Sequence, residues 1–139
     1  MHVMKKYELI EHTADIGLKA RGKTLAEAFA NAALGMFSLV AELKNVGEKE
    51  SRQFEVKADD IEGLLFEWLN SLLYYFDVDM LLFRRFDIME LEDTRLAATC
   101  YGEKYDSARH SLRMGVKSAT YHQLEVNRET NTVRVIFDV

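Results

Sequence analysis

The chain alternates between two hydrophobic rhythms, one with the period of a strand and one with the period of a helix. Tyr7–Glu11 forms a short strand-like run, and in Ile16–Arg21 the apolar Ile16, Leu18 and Ala20 alternate with Gly17, Lys19 and Arg21. After Gly22 the period changes. Leu25, Ala28, Phe29, Ala32, Met36 and Val40 recur at helical spacing. Thr24 with Glu27 three residues on is a capping-box signature, so a helix is predicted from Thr24 to about Ala41. Gly47–Ser51 reads as a polar turn and Phe54–Ala58 as a strand. Asp59 and Asp60 then precede a second apolar helical pattern, in keeping with the preference of helix N-termini for acidic caps. Its apolar residues run from Ile61 through Leu64, Leu65, Trp68, Leu69, Leu72 and Leu73 to Phe76, a stripe wide enough to pack hard against a sheet.

Asp77 and Asp79 are predicted to end that helix. Leu81–Leu91 and Thr94–Tyr101 read as two strands joined through Glu92 and Asp93, and residues 102–113 read as polar and irregular. Gly115–His122 is strand-like, with Gln123–Asn127 as its continuation. A turn at Arg128–Asn131 leads to a last strand, Thr132–Asp138. Two helices within a strand-rich order predict an α+β fold of two layers, with the helices packed on a mixed or antiparallel sheet.

The 139 residues suit one domain, and a chain of this size buries roughly 68–70% of its unfolded surface. A hydrophobic content of 48% argues against disorder. The net charge of −5 disfavours a bare nucleic-acid binder. With a single cysteine, Cys100, neither an internal disulfide nor a Cys-rich zinc site is possible. The absence of proline leaves turns to Gly, Asn and Asp. The first residues lack the apolar run of a signal peptide and no membrane-length apolar stretch follows, so a cytoplasmic location is the expectation.

Candidate chemistry concentrates at two distant places. Asp15 stands at the entry to a strand, and Asp138 sits beside Val139 at the end of another. If the two ends meet, Asp15, Asp138 and the Val139 carboxylate offer hard oxygens suited to calcium or magnesium. A lone aspartate at a strand entry is otherwise an ordinary turn residue. His12 precedes Asp15 by three positions and reads as a ligand, a supporting partner or a satisfied core histidine. In a regular strand, Ser118, Thr120 and His122 share one face while Lys117, Ala119 and Tyr121 share the other. The segment from Tyr101 to His110, with Glu103, resembles either a contact loop or a plain surface. No P-loop, no G-x-G-x-x-G, no G-x-S-x-G elbow and no EF-hand loop is present. The rival readings are a metal-dependent hydrolase using Asp15, Asp138 and His12, and an RNA-binding module using the Tyr121 face.

Taken in order, these segments resemble the archease family. The resemblance rests on residues 12–17 (His-Thr-Ala-Asp-Ile-Gly) and on the G-x-T-x-x-E-A-F pattern from Gly22 to Phe29. It continues in Leu64, Leu65, Trp68, Leu69, Asn70 and Leu72–Tyr74, and in Gly102-Glu103. Val116-Lys117, Thr120–His122 and Ile136–Val139 complete it. Ser118 departs from the alanine usual in the family. The resemblance implies an accessory protein of tRNA splicing rather than an enzyme. Such proteins activate the RtcB-type RNA ligase by promoting its guanylylation and repeated turnover, and broaden its use of nucleoside triphosphates. It also implies a chaperone role toward RNA methyltransferases as an alternative. It maps a calcium site onto Asp15, Asp138 and Val139, with His12, Glu103, Lys117, Thr120 and His122 as candidate supporting or partner-contacting residues.

Overall fold

The computed structural model describes residues 5–11 and 15–139, with Glu11 described through its backbone alone. The elements in chain order are β1 (Tyr7–Glu11), β2 (Asp15–Arg21), α1 (Leu25–Val40), β3 (Glu50–Lys57) and α2 (Ile61–Asp79). They continue with β4 (Leu81–Leu91), β5 (Arg95–Lys104), β6 (Ser118–Asn127) and β7 (Thr132–Asp138). A 3-10 turn, Leu43–Asn45, follows α1. The α+β class, with two helices packed on antiparallel strands, is what the periodicity predicts. The strands divide into two sheets, ordered β1-β2-β7-β6 and β3-β5-β4, and every pairing is antiparallel.

Both helix starts form as their caps dictate. The Thr24 hydroxyl accepts the Glu27 N–H at 3.1 Å, while the Glu27 carboxylate reaches back to the Lys23 N–H at 3.3 Å. Asp60 accepts the Gly63 N–H at 2.7 Å. α2 stops at Met80, which adopts the left-handed conformation with φ 57°. Its own N–H still reaches the Phe76 carbonyl at 2.9 Å.

α1 is buried on opposite sides because it packs on both sheets. At Gly35 an added Cβ would meet Leu18 Cδ1 at 2.5 Å and the Tyr7 ring at 3.0 Å, so only glycine lets the helix approach β1 and β2 this closely. Two residues on, Phe37 points the other way, with ring centroids 5.8 Å from Phe83 and 5.9 Å from Phe86 on β4. Trp68 of α2 is fully buried against Phe54 and Phe86, and its indole N–H donates to the Phe29 carbonyl of α1 at 3.1 Å. One apolar cluster thus joins both sheets and both helices.

Two strands run longer than the hydrophobic pattern indicates. β5 continues through Gly102 to Lys104, where an irregular segment is predicted. An added Cβ at Gly102 would sit 1.9 Å from the Leu82 carbonyl oxygen, so this glycine marks a close strand approach and not a turn. β3 begins at Glu50, inside the predicted polar turn.

Candidate metal centre

The register of β2 on β7 brings the two ends of the chain's motif together. Asp15 is the direct cross-strand partner of Asp138, and Ser118 of β6 opposes Asp138 from the other side. Three oxygen-bearing side chains therefore stand in one row across adjacent strands. Directly opposed residues carry their Cβ atoms roughly 4.5–5.5 Å apart, so the two carboxylates are close neighbours. The row lies on the face of the sheet turned away from the helices. Leu18 faces Gly35 of α1, and Asp15 has the opposite parity to Leu18 along β2.

Neither carboxylate makes an ion pair or a side-chain hydrogen bond among the described residues. Like charges placed directly opposite on a sheet repel, and a cation between them reverses the sign. The backbone at Asp138 is held from just before β6, where the Lys117 N–H donates to its carbonyl at 2.9 Å. α2 fixes β6 in turn. Its Asn70 carboxamide accepts the Ala119 N–H at 2.8 Å and donates to the Ala119 carbonyl at 3.4 Å, covering the strand's outer edge as a further strand would. One turn earlier, Phe66 stacks on Tyr121 with ring centroids 4.1 Å apart.

These contacts make α2 antiparallel to β6, so the C-terminal end of α2 lies toward Ser118 and Asp138. That end carries Asp77 and Asp79 and no basic residue in its last turn. The donors are hard oxygens. The one thiol, Cys100, is buried in the other sheet, and burial together with Asp87 holds its pKa well above the usual thiol range. The residues present therefore fit calcium or magnesium better than a soft metal. Among the described residues, no group of three or more His, Cys, Asp or Glu side chains is placed to hold a metal ion, so the two carboxylates need donors of other kinds.

The other candidates fall in different places. Lys117 is exposed beside the row. Thr120 lies two residues further along the same face, and its hydroxyl donates to the Ile136 carbonyl at 2.9 Å, a bond internal to the sheet. His122 leaves the ladder. Between the pairs Thr120–Ile136 and Glu125–Arg134, β6 advances five residues while β7 advances two, which makes an exposed bulge with Gln123 at φ 53°. The regular alternation that groups His122 with Ser118 and Thr120 is broken there. His12 lies outside the described residues.

Glu103 is far from Asp15, in the second sheet, and only 3% exposed. It accepts the Gly47 N–H, Arg109 approaches it at 2.7 Å, and Lys49 at 4.0 Å. Burial pushes its pKa up, but the Gly47 N–H and the Arg109 guanidinium more than offset this and hold it below the usual carboxylate range. Beside it His110 is buried, with Nδ1 accepting the Asp106 N–H at 2.9 Å and Nε2 3.7 Å from Glu103. The group ties the loop after α1 to the loop after β5. Sequence spacing alone gives no sign of this, nor of the Asn70 contact to the edge of β6.

The geometry can be set beside known proteins. The Archease protein family (MTH1598/TM1083) model matches residues 7–139. The chain belongs to the archease family. Among curated archeases, that of Sulfurisphaera tokodaii is 38% identical over 137 residues, covering 98% of this chain and 99% of that protein. The archease of Pyrococcus abyssi is 39% identical over 129 residues, covering 90% of each. The solution structure of Methanobacterium thermoautotrophicum protein 1598 shares the fold with a TM-score of 0.80 at 36% identity, covering 98% of this chain and all of that one. Among the described residues, no helix of this archease-family chain is long and apolar enough to cross a membrane.

Proposed function

We propose that this protein is a non-enzymatic activator of an RtcB-type tRNA-splicing RNA ligase, promoting the ligase's guanylylation and so its multiple turnover. Asp15, Asp138 and Val139 would hold the calcium that the family resemblance implies. The carrying observation is the direct opposition of Asp15 and Asp138 on an outward-facing, strand-anchored surface. Two carboxylates leave most of a calcium ion's six to eight oxygen positions open. Water, phosphate oxygens and groups of the ligase would be available to fill the remainder.

Lys117 is exposed beside this row and His122 is exposed in the bulge further along β6, where a docked ligase would reach them. Activation requires that the protein bind the guanylylation-competent ligase more tightly than the other form, since equal affinity shifts nothing. A bound ion there would supply contacts to nucleotide phosphates that do not depend on the base, in line with the broadened nucleotide use that the resemblance implies. A metal-dependent hydrolase needs a substrate cleft around the ion, and an exposed sheet row provides a docking surface instead.

The test is guanylate incorporation into the ligase from a labelled nucleotide, with and without this protein, across divalent ions. Stimulation dependent on a divalent ion is the expected result. Turnover of a phosphoester by the isolated protein, with no effect on the ligase, would replace the activator reading with the hydrolase one.

A further inference from the structure

The face that carries the acidic row carries a second, oppositely charged site further along the same two strands. On β2 and β7, Lys19 and Arg134 are direct cross-strand partners. Both share the parity of Asp15 and Asp138, so they stand on the outward face. Like charges directly opposed destabilise a sheet, although each cation also has an acid as its partner on the other side, Glu8 opposite Lys19 and Glu125 opposite Arg134. Neither forms an ion pair or a side-chain hydrogen bond among the described residues. Arg21 stands next on that face and holds Glu8 only at 3.5 Å.

These three cations line an open cavity of about 300 Å³, with Glu125 as its one acidic residue. The remaining polar lining consists of donors with capacity to spare. Asn127 uses its oxygen on the Glu129 and Thr130 N–H groups, at 3.0 and 3.2 Å, which leaves its NH2 free. Thr130 and Thr132 share one hydroxyl hydrogen at 2.8 Å, so the second hydroxyl hydrogen is available. Among the described residues, Val133 is the only apolar one lining the cavity.

We infer that the cavity bounded by Lys19, Arg21, Arg134 and Asn127 is a phosphate-binding site. A tetrahedral, multiply accepting anion satisfies the opposed cations and the spare donors together. An acidic peptide is the poorer occupant, because protein partners are anchored by apolar side chains and the cavity offers almost no apolar lining. The site is four residues along β2 and β7 from Asp15 and Asp138, which is about 13 Å at strand rise. Because these cations come from opposite ends of the chain, only the β2–β7 register assembles them, and the overall charge of −5 conceals the patch.

Anisotropy of a labelled single-stranded RNA ten-mer and calorimetry with inorganic pyrophosphate test this, each in chelator and then with calcium. At least one probe binds the wild-type protein in chelator. With three phosphates neutralised, the RNA arm shows a log–log salt slope of about −2. The Lys19→Gln/Arg134→Gln double variant binds roughly tenfold or more weakly and its slope falls toward about −0.7. Each lost cation gives up one like-charged and one oppositely charged cross-strand neighbour, so the Tm stays close to that of the wild type, which separates lost binding from misfolding. RNA binding much tighter than pyrophosphate assigns the site to a strand backbone, and equal binding assigns it to a small phosphate compound. No binding of either probe, binding unchanged in the double variant, or an oligoglutamate ten-mer bound as tightly would each overturn the inference. The readings in chelator do not involve calcium, so they stand or fall apart from the activator proposal.

Discussion

Replacing Asp138 by Asn keeps the shape of the side chain and removes one of two directly opposed charges. Without a cation the wild-type pair repels across β2 and β7, at a cost of roughly 0.2–1 kcal/mol for like charges in direct register. In chelator the Asp138→Asn variant is therefore as stable as the wild type or slightly more so. With calcium the order reverses. A ligand at one hundred times its dissociation constant stabilises the folded state by about 2.7 kcal/mol. For a chain of this length the entropy of unfolding is about 0.3 kcal/mol per kelvin, so the wild-type Tm rises by about 9 °C. The variant, with one carboxylate, shows a small rise or none. Differential scanning calorimetry in chelator and across a calcium series reads both halves. A variant less stable than the wild type in chelator, or one retaining the full calcium shift, would refute the reasoning.

Other substitutions probe how the site is supported. Glu103→Gln removes a buried charge from Gly47 and Arg109 and costs about 1–3 kcal/mol in denaturant unfolding near neutral pH. Because the folded-state pKa of Glu103 is lowered, its stabilisation is present above the ordinary carboxylate pKa and is lost as pH falls through the folded value. The acid limb of the stability profile is accordingly shallower in Glu103→Gln. Asn70→Ala uncovers the edge of β6 at Ala119 and costs about 1–3 kcal/mol, with faster amide exchange at Ala119 as the local readout. Gly102→Ala places a methyl group against the Leu82 carbonyl, where backbone has no room to yield. It destabilises by more than the roughly 1–3 kcal/mol of ordinary overpacking, measured by urea unfolding.

Much of this architecture is written in local sequence. The helices begin at Thr24 and Asp60 because their caps and apolar stripes agree, and both are visible without a structure. The pairing of the chain's ends is also legible, since an apolar terminal run such as Val133–Phe137 needs a sheet partner. What local pattern does not encode is register. Gly102 looks like a break but serves a close approach to Leu82, and the bulge at 121–124 takes His122 out of alternation with Ser118 and Thr120. Separation of the strands into two sheets depends on α1 packing both ways, through Gly35 on one side and Phe37 on the other. The Glu103 group and the Lys19–Arg134 pair are likewise invisible, because their members are far apart in the chain.

The proposed activator role rests on the opposed aspartates holding the ion through which a partner ligase is activated. It is tested most directly by counting ligation events per ligase molecule when this protein is added below stoichiometry in calcium. The wild-type protein yields many turnovers per ligase. Asp15→Asn and Asp138→Asn, folded and thermally stable in chelator, return the ligase to about one. Multiple turnover sustained by both variants would contradict the claim.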